Sequence, residues 1–558
     1  MSVAALPPII ERYSQAVCHL NHAKDANRLG LILGSGISRE LHLPLWKDLL
    51  TDLENALSYP HGDTVPESYR AEQLFQTFRA RAAAALNWPE RDNREAEVSS
   101  KWRAFVSARL YKGFLKSDGT TPDLDRYKKA IADHPYMMSL ARIASELELV
   151  VSHNFDNALE TAIDEDPSTR IKPGRRFNAF WKPEPFLRRG MVNVYHPNGY
   201  MPFARDVKGS DSVILTEAGF ADHLANTNSA EAHFLLRHLA EKTWLIIGHS
   251  LADGTLKNAL RMHANQRPGH ISYYVHYAKN GASELTDEQQ SAIREANFHA
   301  YNLVTIFASS AEIAELLNLV CMSKSELYDD CASHGVKSRY VYYIAGAVSS
   351  GKSTVLGHLR NLVTIEEWPG KMPVTMNKPS IELTLEEQRE IDKKLEVAVW
   401  TKNREIDVTK VGVVVVDRSP LDFIAFPRTK TAAPTQTANE RFATLFKRLH
   451  ADDFAKLCAG QVILVTADPN VLLERQLQRG SRVRAEDVPN GDAMAYLKTQ
   501  QNLMRAIYKQ SVDDKSAVDA DACSVAQTLK DVARIIHFEP YKPFNFKARL
   551  QEILAGTI

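Results

Sequence analysis

A segment in the second half of the chain has the composition of a phosphate-binding loop. Its sequence is Gly346-Ala347-Val348-Ser349-Ser350-Gly351-Lys352-Ser353-Thr354, which fits the pattern G-x4-G-K-S between a strand-like and a helix-like run. In such a loop, backbone N–H groups surround the phosphates, the lysine contacts the outer phosphate oxygens, and the hydroxyl after it binds Mg2+. The pattern predicts a site for ATP or a dNTP with Mg2+, formed by Gly346, Ser350, Gly351, Lys352, Ser353 and Thr354.

Two further features of the second half fit the same chemistry. Asp417 ends the apolar run Val411–Val416, where phosphate-loop proteins hold an acid linked to Mg2+. We therefore predict Ser353 and Asp417 as Mg2+ ligands, with an acid that only caps the strand as the alternative. Spaced arginines further on are typical of a lid that closes on phosphates, and a solvated basic helix end is the alternative. These arginines are Arg475, Arg479, Arg482 and Arg484.

The first half contains a shorter glycine loop. Gly34-Ser35-Gly36-Ile37-Ser38 directly follows the apolar run Leu29–Leu33. Glycines at such a turn let the backbone approach a pyrophosphate, and the N–H groups of the next helix can bind it. Arg39 replaces the third glycine of the pattern G-x-G-x-x-G, so a plain strand-to-helix turn remains the alternative.

Polar residues follow two later strand-like runs of the first half. Asn154 and Asp156 lie two positions apart after Leu147–Val151, so both can point to one side of an extended strand end. His196 follows a short apolar pair and enters the turn Pro197-Asn198-Gly199, which could leave its imidazole in a cleft. A loop histidine with a structural role only is the alternative.

The four segments GSGIS, HNFD, HPNG and LIIGHSLAD, in this order, resemble the NAD-binding fold of the sirtuins over about residues 20–320. The resemblance is strongest to the bacterial defence-associated sirtuin-like branch. It implies that Asn154 and Asp156 orient the nicotinamide ribose and the attacking water, and that His196 is the base. It further implies binding residues for NAD+: Gly34, Ser35, Gly36 and Ser38 at the pyrophosphate, and Gly248, Ser250 and Asp253 on the adenosine side.

The cysteines distinguish this chain from the deacetylase sirtuins. Five cysteines are scattered through the sequence without a CxxC pair, so they cannot form the four-cysteine zinc module of those enzymes. We therefore expect no zinc and no protein deacylation. Without an acyl-lysine, water is the expected nucleophile, and the predicted reaction converts NAD+ to nicotinamide and ADP-ribose. Cyclisation of ADP-ribose and ADP-ribosyl transfer remain open.

Residues 338–540 resemble the deoxynucleoside and nucleoside-monophosphate kinase branch of the phosphate-loop proteins. The phosphate loop, the segment Asp417-Arg418-Ser419 and the spaced arginines carry this resemblance. It implies that an acid-rich strand end at Glu366-Glu367-Trp368 faces an acceptor nucleoside. Whether this half transfers phosphate or only binds ATP or a dNTP stays open.

Short apolar, β-branched runs must position these residues. They are Leu29–Leu33, Leu147–Val151, Trp244–Ile247, Ile271–Val275, Leu303–Phe307, Tyr340–Ile344, Val411–Val416 and Val462–Val465. Strands alternating with helices predict an α/β fold with parallel sheets, whose ligands bind at the carboxyl ends of the strands. We predict three segments: a sirtuin-like Rossmann-type domain over 1–325 with a helical insertion at about 50–145, a linker at 326–338, and a P-loop kinase-like α/β domain over 339–558.

Charge and hydropathy limit the partners of the chain. Lys plus Arg and Asp plus Glu both number 68, so no net charge draws the chain to nucleic acid or to an anionic membrane. The start of the sequence lacks the features of a secretory signal, and no run has the length of a membrane span. We therefore expect a cytoplasmic protein.

The pairing of the two halves indicates regulation, because an NAD+ hydrolase that is always active would drain a pool the cell needs. We expect nucleotide binding or a phage-derived trigger to gate NAD+ cleavage in anti-phage abortive-infection defence. By analogy with regulated enzymes of this branch, we expect a homo-oligomer. The alternative is an active nucleoside or nucleotide kinase regulated by NAD+ or ADP-ribose bound to an inactive sirtuin-like domain. A third hypothesis is a scaffold with two nucleotide-bound modules.

Overall fold

The chain folds into two compact units, each built on its own parallel sheet. The computed structural model describes residues 7–58, 67–85, 95–167, 177–184, 186–204, 230–251, 254–279, 281–368, 370, 374, 384–425, 456–478, 492–508, 516–521 and 524–555. Unit 1 comprises Met1–Tyr13, Ala23–Gln266 and Ser272–Ser323, and unit 2 comprises Ser14–His22, Arg267–Ile271 and Lys324–Ile558.

Unit 1 contains a seven-stranded parallel sheet in the order β3-β4-β2-β1-β5-β6-β7. Its strands are β1 (Leu29–Leu33), β2 (Leu149–Ser152), β3 (Phe177–Phe180), β4 (Val192–Tyr195), β5 (Thr243–Ile247), β6 (Ser272–Tyr277) and β7 (Leu303–Ala308). Strands β2, β3 and β4 lie on one side of β1, and the later strands β5, β6 and β7 lie on the other side. The carboxyl edge beside β1 is therefore the topological switch point, where open α/β sheets bind their ligands.

Helices connect these strands. In the described part of unit 1 they are α1 (Ile9–Asp25, of which Ser14–His22 is assigned to unit 2), α2 (Gly36–Arg39), α3 (Trp46–Ala56), α4 (Glu67–Ala85), α5 (Glu95–Leu110), α6 (Leu124–Asp133), α7 (Met137–Ser145), α8 (Ala158–Glu165), α9 (Ala230–Glu241), α10 (Gly254–Gln266), α11 (Asp287–Tyr301) and α12 (Ser310–Cys321). Helices α2 to α7 all lie between β1 and β2.

Unit 2 contains a five-stranded parallel sheet in the order β12-β11-β8-β10-β9. Its strands are β8 (Arg339–Ala345), β9 (Val363–Ile365), β10 (Gly412–Asp417), β11 (Gln461–Thr466) and β12 (Ala517–Asp519). Its described helices are α13 (Lys324–Ser333), α14 (Lys352–His358), α15 (Leu385–Val408), α16 (Pro469–Gln478), α17 (Asp492–Tyr508), α18 (Val525–Phe538) and α19 (Phe546–Leu554). Most of the segment predicted as a linker, 326–338, lies in α13.

Side chains that alternate along the strands of unit 2 pack into two apolar layers, one on each face of the sheet. Val341 and Tyr343 belong to one buried cluster, together with Val414 and Val416 of β10. Tyr342 and Ile344 belong to the other. Because successive side chains of a strand point to opposite faces, a strand buried on both faces is a continuous apolar run. This explains why the sequence pattern alone identifies β8, β10 and β11.

The structure confirms the predicted α/β class with parallel sheets. The eight predicted strands overlap β1, β2, β5, β6, β7, β8, β10 and β11, with ends that differ by at most two residues. The pattern does not identify β3, β9 and β12, which have only three or four residues each, and it detects only the end of β4. In the part of the chain that the structure describes, no helix is both long and apolar enough to cross a membrane.

The loops after β1 and β5 are in direct backbone contact. The N–H of Gly34 donates to the carbonyl of Ile247 at 2.9 Å, and the N–H of Gly36 donates to the carbonyl of Gly248 at 2.8 Å. A Cβ atom at Gly34 would lie 2.5 Å from the Gly248 oxygen. Gly248 itself has a φ of +70°, a conformation that glycine adopts at low cost. The glycines thus let the two loops meet.

We predict that Gly34→Ala destabilises the chain by about 1–3 kcal/mol, the usual cost of inserting a methyl group into a packed contact. Urea unfolding of the full chain should show a lower midpoint for this variant. Gly113→Ala is the matched control, because a Cβ at Gly113 meets no atom within 4 Å. Equal midpoints for the two variants would contradict the close contact of the loops.

Candidate functional site

The glycine loop of unit 1 uses most of its N–H groups within the protein. Besides the two glycines, Ile37 donates to the Gly34 carbonyl at 3.2 Å and Ser38 donates to the Ser35 carbonyl at 3.1 Å. Ser35 is exposed and precedes α2, and its side chain makes no capping hydrogen bond. The loop therefore stands at the switch point, with Ser35 as its exposed residue.

Ser38, Asn154 and Asp156 form one buried hydrogen-bonded network. Ser38 Oγ donates to Asp156 Oδ2 at 2.6 Å, and Asn154 Nδ2 donates to both the Gly34 carbonyl and Ser38 Oγ at 3.1 Å. The N–H of Ala158 donates to Asp156 Oδ1 at 3.0 Å, so both oxygens of this carboxylate are occupied. Burial raises the pKa of Asp156. The loops after β1 and β2 are thereby fixed to each other.

His196 follows β4 and is fully buried. Its Nδ1 lies 2.9 Å from the carbonyl oxygen of Asn154, and its Nε2 lies 2.6 Å from Glu160 Oε1. Burial alone would lower the pKa of His196, but Glu160 and the Asn154 carbonyl outweigh it, so the pKa is raised. The structure thus brings the three predicted catalytic residues together: the Asn154 carbonyl contacts His196, and Ser38 links Asn154 to Asp156. His196 also contacts Glu160, a carboxylate that the motifs did not identify.

Glu160 is a buried residue of this candidate site that the sequence motifs did not identify. It lies in the first turn of α8 and is 1% exposed, in a helix that also buries Ala158, Leu159, Ala162 and Ile163. Charged residues are almost never fully buried without a partner. An acid inside the mostly apolar segment Ala158–Ile163 was the available signal, but its partner lies 36 positions further along the chain.

Three buried oxygen atoms of this site have no hydrogen-bond partner among the described residues. They are Asn154 Oδ1, Glu160 Oε2 and Asn198 Oδ1. Asn198 is held beside the same loops, because its Nδ2 donates to the His153 carbonyl at 3.2 Å. Buried acceptors without a donor are costly. A ligand that brings hydroxyl or amide donors into this site would satisfy them.

The predicted adenosine-side residues follow β5. Gly248 packs against the glycine loop, as described above, and Ser250 is exposed. His249 between them is held by Tyr274, whose hydroxyl donates to the His249 carbonyl at 2.8 Å. Asp253 lies outside the described residues. The loop after β5 thus borders the same edge of the sheet as Asn154 and His196.

The phosphate loop of unit 2 connects β8 to α14. Its backbone has positive φ angles at Gly346, Ser349 and Gly351, of +150°, +64° and +99°. Lys352 is buried, and its Nζ donates to the Ala347 carbonyl at 2.7 Å and lies 3.4 Å from Ser350 Oγ. The lysine therefore contacts its own loop. Thr354 is exposed on α14 and Ser350 is buried.

Ser353 and Asp417 meet at the carboxyl ends of β8 and β10. Ser353 Oγ donates to Asp417 Oδ2 at 3.2 Å, while Asp417 Oδ1 is buried without a partner in the described part of the chain. The Ser353 hydroxyl and the Asp417 oxygen without a partner fit Mg2+, because this ion takes oxygen ligands and keeps several of its waters. No group of three or more His, Cys, Asp or Glu side chains among the described residues is arranged to hold a metal ion. Other Mg2+ ligands would be water or phosphate.

Three cations and three acids surround the phosphate loop, and all are buried except Glu367, whose side chain is 27% exposed. The cations are Lys352, Lys402 and Arg418, and the acids are Glu367, Asp417 and Asp422. Arg418 Nε donates to Glu367 Oε1 at 2.6 Å, and Lys402 Nζ donates to the Asp417 carbonyl at 2.6 Å. Glu367 comes from the strand end predicted to face an acceptor nucleoside. The sequence motifs did not identify Lys402 or Asp422.

Burial shifts the pKa values of the two lysines. The pKa of Lys352 falls to about 7, because of burial and the nearby Arg418 guanidinium. Burial lowers the pKa of Lys402 to about 8.

Arg475 donates to the Ala520 carbonyl at 2.7 Å, and Arg479, Arg482 and Arg484 lie outside the described residues. The predicted arginine lid therefore stays a prediction.

We predict that Mg2+-ATP binding at pH 8 takes up protons. With a pKa of about 7, Lys352 is mostly neutral at pH 8, and bound phosphates favour its charged form and raise its pKa. The uptake should approach about one proton per ATP. Calorimetry in buffers of different ionisation enthalpy measures the number of protons taken up. Lys352→Arg is the control, because arginine keeps its charge. Equal uptake by the two proteins would contradict this role of Lys352.

Known proteins provide a comparison for these two units. Residues 148–306 match the family model of the SIR2-like domain. No curated protein matches the chain. Among solved structures, the deoxyadenosine kinase from M. mycoides with bound dATP has 17% identity and a TM-score of 0.28, covering 34% of this chain and 96% of that one. The same kinase with bound dCTP has 20% identity and a TM-score of 0.24, covering 34% and 95%.

The matched span includes β2, α8 and β4, and therefore Asn154, Asp156, Glu160 and His196. The chain thus contains a SIR2-like domain, joined to a unit that carries a phosphate loop.

Proposed function

We propose that the SIR2-like domain hydrolyses NAD+ to nicotinamide and ADP-ribose. The observation that carries this proposal is the group of three buried oxygens without partners, on Asn154, Glu160 and Asn198, beside the Glu160–His196 pair. The nicotinamide ribose brings two hydroxyls and the nicotinamide brings an amide, so NAD+ supplies the donors that these oxygens lack. The loops concerned border the switch point, where open α/β sheets bind nucleotides.

The charges of the site suit cleavage of the bond to nicotinamide. Nicotinamide leaves as a neutral molecule, and positive charge develops on the ribosyl carbon. Asp156 is buried, its orientation is fixed by Ser38 and Ala158, and it would lie near this carbon in bound NAD+. A preorganised carboxylate in a site with little water stabilises such a cation without the cost of reorientation. Water then completes the hydrolysis, and cyclisation or ADP-ribosyl transfer would follow if another hydroxyl or an acceptor side chain replaced it.

We predict that His196→Ala lowers nicotinamide release by about 100-fold to 10,000-fold, the usual contribution of proton transfer, because the variant breaks the Glu160–His196 pair. Purified chain is incubated with NAD+, with and without ATP, dNTPs and extracts of phage-infected cells, and the products are separated by chromatography. His233→Ala is the control, because His233 is exposed on α9. If wild type and His196→Ala leave NAD+ equally intact under every condition, NAD+ hydrolysis is wrong.

We further propose that nucleotide binding in unit 2 gates NAD+ cleavage. The buried charges around the phosphate loop balance one another, with Lys352 bonded to its own loop. Phosphates and Mg2+ would draw Lys352 and Asp417 into new contacts and change that balance. Gating requires only that the nucleotide binds the active and resting states with different affinities. Anti-phage abortive-infection defence in the cytoplasm, by a homo-oligomer with a phage-derived trigger, is the biological role we propose.

We predict that the NAD+ cleavage rate of Lys352→Met does not change with nucleotide concentration, whereas the wild-type rate does. Loss of the lysine removes the charge that contacts the β and γ phosphates. The coupling between nucleotide binding in unit 2 and NAD+ cleavage then vanishes. Lys547→Met is the control, since Lys547 is exposed. A nucleotide dependence that survives in Lys352→Met would exclude gating through the phosphate loop.

A second candidate function is phosphoryl transfer by unit 2, with NAD+ or ADP-ribose as a regulator. The Glu367–Arg418 pair favours it, because this carboxylate stands at the end of β9 near the phosphate loop and could accept a hydroxyl proton. Incubation with ATP and a panel of nucleosides distinguishes the two candidates. A phosphorylated nucleoside with intact NAD+ would favour the kinase, and free nicotinamide would favour the hydrolase.

A further inference from the structure

The Glu160–His196 pair has one atom available for a ligand, and it belongs to Glu160. Both ring nitrogens of His196 are engaged, Nδ1 at the Asn154 carbonyl and Nε2 at Glu160 Oε1. Both side chains are buried, with 0% of His196 and 1% of Glu160 exposed, so the contrast between them lies in their hydrogen bonds. Glu160 uses only one of its carboxylate oxygens for His196, and its Oε2 has no partner in the described part of the chain.

The number of protons in the pair follows from these contacts. A carbonyl oxygen only accepts hydrogen bonds, so the Nδ1 of His196 carries a hydrogen. The 2.6 Å contact between Nε2 and Glu160 Oε1 contains a second hydrogen, because one of the two atoms must donate. His196 cannot accept a further proton while it keeps both contacts. Glu160 can, because Oε2 retains its lone pairs.

The other titratable groups near Glu160 are poorer acceptors. Asp156 has both oxygens bonded, to Ser38 and to the Ala158 N–H. Burial raises the pKa of Tyr127 well above its usual value, so its phenol is not a base. Tyr200 lies against the His196 ring, with centroids 4.5 Å apart, and a phenol is equally weak as a base near neutral pH. Glu160 is the remaining proton acceptor among these groups.

We propose that Glu160 is the general base for the water that attacks NAD+, and that His196 positions it and balances its charge. This assignment rests on the proposed NAD+ hydrolysis. The water oxygen bonds to the ribosyl C1′, the bond from C1′ to the nicotinamide nitrogen breaks, and its electron pair neutralises the pyridinium ring. One proton of the water passes to Glu160 Oε2 and later returns to solvent. His196 stays protonated throughout and stabilises the Glu160 carboxylate before the transfer.

The test compares Glu160→Gln with Glu160→Asp in the full chain. Glutamine keeps the size and hydrogen bonding of the side chain but cannot take the proton, whereas aspartate keeps the carboxylate on a shorter side chain. We expect kcat for nicotinamide release to fall by about 100-fold or more in Glu160→Gln and by less in Glu160→Asp. Calorimetric affinity for NAD+ should change by less than about threefold in both, since the base acts in the chemical step.

Two further variants sharpen this test. Glu160→Ala leaves space for a small carboxylate, and formate should restore part of its turnover. Glu165→Gln is the matched control, because Glu165 lies on the same helix, is exposed and pairs with Lys128 at 2.8 Å. Its kcat should equal that of wild type.

The outcomes separate this assignment from the proposed function. If wild type cleaves NAD+ and Glu160→Gln is as active as Glu160→Asp or more active, Glu160 is not the base. An equal loss of NAD+ affinity and turnover in Glu160→Gln would likewise assign it a structural role. If wild type does not cleave NAD+ under any condition, the proposed hydrolysis itself fails, before the Glu160 variants are compared.

Discussion

The carboxyl ends of parallel strands lie along one edge of a sheet, and the position of every candidate residue depends on this constraint. In unit 1 the loops after β1, β2, β4 and β5 are far apart in the sequence but leave the same edge. The backbones of two such loops can touch only where no side chain lies between them. Gly34 and Gly248 meet this requirement, because a Cβ on either would overlap the other loop. The network of Ser38, Asn154 and Asp156 joins the loops after β1 and β2 at the same edge.

Burial of charge is the second constraint, and the two units meet it in different ways. Removing an ion from water is costly unless a partner of opposite charge and further hydrogen bonds replace the solvent. Unit 1 pairs one carboxylate with one imidazole, Glu160 with His196, and the Asn154 carbonyl holds the other side of the ring. Unit 2 distributes the same task over six groups, and burial still lowers the pKa values of Lys352 and Lys402.

The sequence predicts those parts of the molecule that depend on local patterns. Strands such as β8 and β10 are buried on both faces, so their apolar runs are continuous and easily identified. The phosphate loop is contiguous in sequence, and its glycines adopt the positive φ angles that only glycine takes easily. The pattern fails for β9 and β12, which have three residues each. It also fails for Glu160, because the chemistry of a buried acid depends on a partner from another loop.

The two sites share one arrangement of a carboxylate. Glu160 and Asp417 each have one oxygen fixed by a protein group, His196 in the first case and Ser353 in the second, while the other oxygen has no partner among the described residues. The fixed oxygen sets the orientation of the group, so no ordering is needed when a ligand arrives. Asp156 differs, because both of its oxygens are bonded. The contribution we expect from Asp156 is through its electrostatic field, whereas Glu160 and Asp417 each have an oxygen that could contact a water or a metal ion.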